Sequence, residues 1–227
     1  MEDAGVLEVD DLVVGYSGTP VCGPITAQLD PGGILGVVGF NGAGKSTAAR
    51  TIAGRQPRID GTLRVHGLPA DEDSIPFRRQ VAAVFDEDAF FPSLTVREHL
   101  LLVASGHGID QPETAVGEEL EYFALDSRAD VVPGALSSGQ RRRLTLAAGL
   151  IRPSSLLILD EPEQRLDPVM RGLIAQRLRG YADDGGAVLL VTHDPAMLTS
   201  TADSCLLIDE QVRHLPPHEA AKDIAGQ

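Results

Sequence analysis

Three separate stretches of this 227-residue chain carry residues whose types and spacing could do chemistry on a phosphate. The first, Gly39-Phe40-Asn41-Gly42-Ala43-Gly44-Lys45-Ser46, fits the spacing GxxxxGK[ST]. Its glycines let backbone N–H groups turn inward around an anion, and a helix starting behind them adds the positive end of its dipole. Lys45 is then placed to neutralise β and γ phosphates and Ser46 to ligate magnesium. A chance glycine-rich turn is the alternative, at roughly one per cent for a chain of this length and average glycine usage. The second stretch is Asp160-Glu161. Asp160 can hold a magnesium ion through water, and Glu161 can orient and partly deprotonate an attacking water. Taken alone, a solvated acidic pair ahead of Pro162 explains them as well. In the third, Thr192-His193-Asp194, His193 could contact a γ phosphate or the attacking water. A lone histidine there is usually structural, so its weight comes from the other two stretches.

The elements that must position these groups are short apolar runs. Ile34 to Val38, Val81 to Phe85, Leu156 to Leu159 and Ala187 to Val191 have the length and the Val, Ile and Leu content of strands buried on both faces of a parallel sheet. Three of the four runs end at one of the chemical stretches. Between the runs lie helical patterns. Leu144, Ala147, Ala148 and Ile151, for example, fall at i, i+3, i+4 and i+7 behind Ser138. Strands alternating with helices predict a doubly wound sheet, which binds ligands beyond the C-terminal ends of its strands. The alternation breaks from about Glu87 to Val132, where His99 to Val103 and Pro112 to Leu125 predict a helical insert. Val6 to Leu29 and Gly61 to Val65 read as strands of a smaller antiparallel layer.

Composition narrows the partners. Asp and Glu number 33 against 19 Lys and Arg, a formal charge of -14 that repels a nucleic-acid backbone. No apolar stretch approaches the ~18 residues of a membrane helix. The opening Met1-Glu2-Asp3 lacks the positive n-region of a signal peptide, so the chain is expected to stay in the cytosol. The two cysteines, Cys22 and Cys205, lack CxxC spacing and read as small core residues. His66, His99, His107, His214 and His218 show no metal-ligand spacing.

Leu136-Ser137-Ser138-Gly139-Gln140 resembles the LSGGQ signature of ATP-binding cassette (ABC) domains, and Leu166-Asp167 resembles the D-loop that follows it in that family. The resemblance runs from Tyr16 to His193. It implies an α/β P-loop NTPase (RecA-like) core formed by residues 1–86 and 141–227, with the antiparallel layer attached. Residues 87–140 are then a helical insert ending in the signature. ATP and Mg2+ are the implied cofactors. Gly39 to Ser46 and Thr47 would cradle the phosphates, Ser46, Asp160 and Asp86 would serve the metal, and Glu161 and His193 the hydrolysis. Tyr16 resembles the aromatic that stacks on adenine, worth ~0.5 to 1.5 kcal/mol beyond buried area; a core tyrosine is the alternative.

The resemblance further implies head-to-tail pairing with a second nucleotide-binding domain, identical or not. Ser137, Gly139 and Gln140 of one then complete the site built by Lys45 of the other, with Asp167 nearby. Ser137 is placed as a helix N-cap, so its hydroxyl and the helix dipole can face a γ phosphate. An ordinary capped helix with a solvated Arg141-Arg142-Arg143 face is the alternative. The partner implied is a polytopic membrane permease, with this chain peripheral on the inner face of the cell membrane. A soluble ABC ATPase acting on another complex is the competing class; a P-loop kinase or GTPase is more remote.

Two positions depart from the family pattern. Asp86, followed by Glu87 and Asp88, stands where the Q-loop has glutamine, which predicts slow or altered hydrolysis. Ser138 replaces the first signature glycine. Phe85, Phe90, Phe91 and Pro92 crowd the loop where the family docks its membrane partner, and they predict either an apolar groove or the insert's own core. The Phe-Phe-Pro-Ser-Leu-Thr-Val segment and the short insert resemble exporter-type subunits.

Overall fold

A computed structural model describes residues 5–87, 89–209 and 211–225, so Met1-Glu2-Asp3 and Asp88 lie outside the described residues. The chain opens with β1 (Leu7–Tyr16), β2 (Thr19–Leu29), β3 (Ile34–Gly39), α1 (Lys45–Ile52), β4 (Asp60–Val65), β5 (Leu68–Pro69), α2 (Ile75–Gln80) and β6 (Val81–Val84). Three helices follow: α3 (Val96–Gly106), α4 (Pro112–Tyr122) and α5 (Ser138–Leu150). The chain then runs through β7 (Leu156–Asp160), α6 (Pro168–Asp183), β8 (Ala187–Val191), α7 (Pro195–Thr201), β9 (Ser204–Ile208), β10 (Val212–Leu215) and α8 (Pro217–Ala225).

The strands form two sheets. One has six strands in the order β10-β9-β3-β8-β7-β6, parallel throughout except for β10, which runs antiparallel to β9. The other is the antiparallel layer, in the order β2-β1-β4-β5. All four apolar runs are strands of the large sheet, and every residue of β3, β7 and β8 is buried.

Alternation along these strands divides the core. Leu156, Ile158, Leu189 and Val191 face a cluster in which Ala48, Ala49 and Ile52 of α1 pack between the two sheets. Leu157, Leu159, Val188 and Leu190 face the other way, onto a cluster shared by α3, α4, α5 and α6. Each such side chain contributes about 1.5–3 kcal/mol by leaving water, which holds the strand ends rigidly in register. Cys22 and Cys205 are buried, and burial pushes both thiols up to about 11.

The insert is helical as its sequence predicts. A capping box starts α3: the Thr95 amide donates to Glu98 Oε2 at 2.8 Å, and the Glu98 amide to Thr95 Oγ1 at 3.2 Å. Helix α4 is tied to α6 by an ion pair of buried Glu119 with Arg177 and by the Tyr122 hydroxyl, which donates to the Leu173 carbonyl at 2.6 Å. Burial raises the Glu119 pKa, and Arg177 opposes that.

The phenylalanine-rich loop is less open than its composition predicts. Phe85 is buried in the first core cluster beneath the Arg50 and Arg55 guanidinium groups, and Phe90 packs half-buried against the second. Of the three phenylalanines Phe91, at 55% exposure, faces solvent, and Pro92 beside it is exposed as well. The loop's aromatics therefore serve mainly to fill cores.

Candidate functional site

Strands β3, β8 and β7 are neighbours, so the loop after β3, the Asp160-Glu161 pair and His193 emerge together at the C-terminal edge of the sheet. The loop is shaped by its glycines. At Gly39 (φ 148°) an added Cβ would stand 2.0 Å from the Ile208 carbonyl oxygen, and Gly44 (φ 100°) caps α1 in a left-handed conformation. Phe40, Asn41 and Gly42 form its exposed tip, with Ala43 half-buried behind them. Lys45 is buried, and its ammonium donates to the carbonyls of Gly39 and Phe40, both at 2.9 Å, so the charge lies across the mouth of the loop. Burial lowers the Lys45 pKa, while Glu161 and Asp160 oppose the shift. Ser46 and Thr47 occupy the first turn of α1, whose N–H groups point toward the same loop.

Asp160 ends β7 and is buried. Burial raises its pKa, countered first by a hydrogen bond with Ser46. Its Oδ1 has no hydrogen-bond partner among the described residues. A buried orphan carboxylate oxygen beside a serine hydroxyl is a donor set that suits a hard cation with oxygen ligands, such as magnesium. Among the described residues no three His, Cys, Asp or Glu converge as a metal cage, so such an ion would take its remaining ligands from water and phosphate.

Glu161 adopts φ 48°, unusual for a side-chain-bearing residue. Its amide donates to the Val191 carbonyl at 2.8 Å, its Oε2 accepts from the Gln164 side-chain amide, and its Oε1 lies 3.3 Å from His193 Nε2, in ion-pair range but off the hydrogen-bond line. Buried Glu163 positions the histidine: Glu163 Oε1 accepts from Thr192 Oγ1 at 2.7 Å and from the His193 amide at 2.8 Å. A carboxylate held between an amide and an imidazole at this edge can orient a water for attack on a phosphate seated at Lys45.

The remaining predicted residues fall into two groups. Tyr16 is 57% exposed, and its hydroxyl is 3.2 Å from Thr47 Oγ1, which places the ring beside the phosphate loop. Asp86 also reaches this edge, but its carboxylate is turned to Arg165, with N···O distances of 2.8 Å to both oxygens. The signature lies apart. Ser137 Oγ accepts from the Gln140 amide at 3.2 Å, and Gln140 Oε1 accepts from the Ser137 amide at 2.9 Å, a reciprocal cap on α5. Among the described residues no hydrogen bond or ion pair joins Ser137, Gly139 or Gln140 to residues 39–47. Asp167 caps α6 through the Met170 amide at 2.9 Å and pairs with Arg143 at 2.6 Å.

The arginine face behind the signature is not solvated throughout: Arg142 is 3% exposed, buried among backbone carbonyls. Arg142, Glu163, Gln164 and Arg165 are the contributors that sequence reasoning does not find. A signal exists only for the last three, which stand between Glu161 and Leu166-Asp167, two motifs that the reading does single out. A groove of about 650 Å3 lined by Gln56, Arg58, Asp60 and Asp71 lies elsewhere and contains none of the predicted residues.

Residues 22–164 match the family model described as ABC transporter. The chain is 32% identical over 224 residues to the Nod factor export ATP-binding protein I of Rhizobium etli, spanning 97% of this chain and 71% of that protein. It is 30% identical over 205 residues to the ABC-type transporter ATP-binding protein EcsA of Bacillus subtilis, covering 89% of this chain and 83% of the relative. Among solved structures, one described as the ATP-binding subunit of an ABC transporter superposes with a TM-score of 0.87 at 27% identity, over 97% of this chain and 93% of that one.

Proposed function

The chain belongs to the ABC transporter family, and on that premise we propose that it binds and hydrolyses ATP to drive substrate movement through a membrane permease. The observation that carries this reading is the convergence of Lys45, Asp160-Glu161 and His193 from three adjacent strand ends beside a glycine-shaped loop. Tyr16 stacks on the adenine. The N–H groups from Gly39 to Thr47 and the Lys45 ammonium hold the phosphates, with Phe40, Asn41 and Ala43 completing the loop. Ser46 and Asp160 would hold a magnesium ion, which would supply charge neutralisation at the phosphate oxygens. Asp86 can join them only by leaving Arg165. Glu161 orients the water and takes up its proton as the water oxygen bonds to the γ phosphorus and the bond to the β,γ-bridging oxygen breaks, giving ADP and phosphate, and His193 steadies the Glu161 carboxylate.

Residues 87–140 act as the insert that carries the signature. Ser137, Gly139 and Gln140, with Asp167, complete the ATP site of a second nucleotide-binding domain, a reading supported by the lack, among the described residues, of any hydrogen bond or ion pair from the signature to its own phosphate loop. No described helix is long and apolar enough to cross a membrane, and the chain sits on the inner face of the cell membrane through its permease. The relative named for Nod factor export supports the export direction. The test is to recover a tagged Glu161→Gln chain from detergent-solubilised membranes of its source cell with ATP and magnesium. A stoichiometric polytopic membrane protein is expected; recovery with soluble partners alone would overturn the transporter assignment.

A further inference from the structure

Arg142 is a costly residue to have where it is. It lies on α5, five residues beyond the Ser137 cap, and its guanidinium is almost wholly removed from water. Nη1 donates to the Phe85 carbonyl, and Nη2 donates to the carbonyls of Asp160 and Glu161, all at 2.8 Å. Phe85 follows β6 directly, while Asp160 and Glu161 span the end of β7, so these carbonyls lie where the backbone leaves the sheet and strand pairing no longer satisfies them. Nε has no hydrogen-bond partner among the described residues. The three carbonyls offset part of the cost of desolvating the cation, and an apolar side chain in its place would leave all three stranded, so the site is not filled for packing alone.

What the arrangement does achieve is geometric. The Glu161 backbone is in the left-handed region, a conformation that persists only where its surroundings over-determine it. Its amide is held by the Val191 carbonyl and its carbonyl by Arg142, so the residue is gripped on both sides. The same guanidinium bridges to Phe85, the residue before Asp86, and the helix that carries it begins at the signature. We propose that Arg142 is a positioning residue for hydrolysis: it sets the backbone of Glu161, and through α5 it makes the aim of that carboxylate depend on the placement of the signature. Lysine cannot substitute fully, because a single ammonium lacks the planar fork that reaches three carbonyls.

This inference rests on the ATPase reading above, and the test separates the two. Phosphate release and ATP binding are measured for the wild-type chain, Arg142→Met and Arg142→Lys, with folding of each checked by thermal melting. Arg142→Met is expected to lose about 100-fold in kcat, the scale of a small misplacement of a reacting group, with KM for ATP within about threefold. Arg142→Lys is expected to fall between the two and recover part of the rate. A folded Arg142→Met chain with wild-type kcat overturns the proposal, as does a loss carried equally by KM. If Arg142→Met does not fold, Arg142→Lys decides: reduced kcat at unchanged KM sustains the proposal, and unchanged kcat overturns it. A folded wild-type chain that binds no ATP or releases no phosphate overturns the ATPase reading and this inference with it.

Discussion

At the strand ends, Lys45 is buried and anchored by two carbonyls, Asp160 meets Ser46, and Glu161 lies between Gln164 and His193. At the head of α5, Ser137 is exposed and Gly139 half-buried, and Ser137 Oγ and Gln140 Oε1 accept from each other's backbone amides in a cap on their own helix. Both regions contain a helix N-terminus, yet one is assembled from three adjacent strand ends and the other is the first turn of one helix, with the Arg165 carbonyl close against Gly139. The difference separates two tasks. On the function proposed above, the strand ends would hold ATP and aim the water, whereas the signature would act on a phosphate bound to a second nucleotide-binding domain.

Glu161→Gln probes the strand-end region most severely. Loss of a general base typically costs 10²–10⁴-fold, so phosphate release should fall by roughly that range while ATP affinity, read by fluorescent-nucleotide titration, stays at the wild-type value. Lys45→Ala should instead weaken ATP binding by about 10- to 100-fold, as expected for losing a hydrogen-bonded charge. If affinity were unchanged, the loop would not be the phosphate seat.

Ser137→Ala sharpens the other side of the comparison. ATP binding to the isolated chain should not change, steady-state turnover should drop by about tenfold for a lost charge-assisted donor, and lost capping should cost about 1 kcal/mol in denaturant unfolding. Weakened ATP binding by the monomer would erase the distinction between the two regions.

Asp160 offers a test through pH. Burial raises its folded pKa above the unfolded value, so the stability it contributes is present below the unfolded pKa and is lost as pH rises through the folded one. The nucleotide-free Asp160→Asn chain should therefore melt above the wild type at neutral pH, and the gap should close as pH falls below the folded pKa. Equal melting temperatures at neutral pH would show that Asp160 carries no burial penalty. Tyr16→Ala should have the smallest effect, raising KM for ATP a few-fold for the ~0.5 to 1.5 kcal/mol of stacking.

Local chemistry made much of this legible. The runs that became β3, β6, β7 and β8 announce themselves because strands buried on both faces must be continuously apolar, and the phosphate loop because only glycine tolerates its turns. The signature is readable as an N-cap followed by helical periodicity. Arg142 is not readable, because a charged residue inside Arg141-Arg142-Arg143 looks solvated until β6 and β7 bring three carbonyls to it. Asp86 is half legible. Its departure from glutamine is visible, but its ion pair with Arg165, 79 residues away in sequence, arises only when the two loops meet. Phe85 is read two ways in the sequence, as the end of a buried run and as part of a docking loop, and its burial in the first core cluster favours the former.

We propose that the second nucleotide-binding domain, which supplies the signature to each ATP site, is another copy of this chain. Light scattering of the Glu161→Gln chain, with and without ATP and magnesium, tests it most directly. A doubling of mass that requires ATP, and that is abolished by adding Ser137→Arg, is the predicted result. A chain that binds ATP at wild-type affinity yet keeps its single-chain mass would contradict pairing with a second copy.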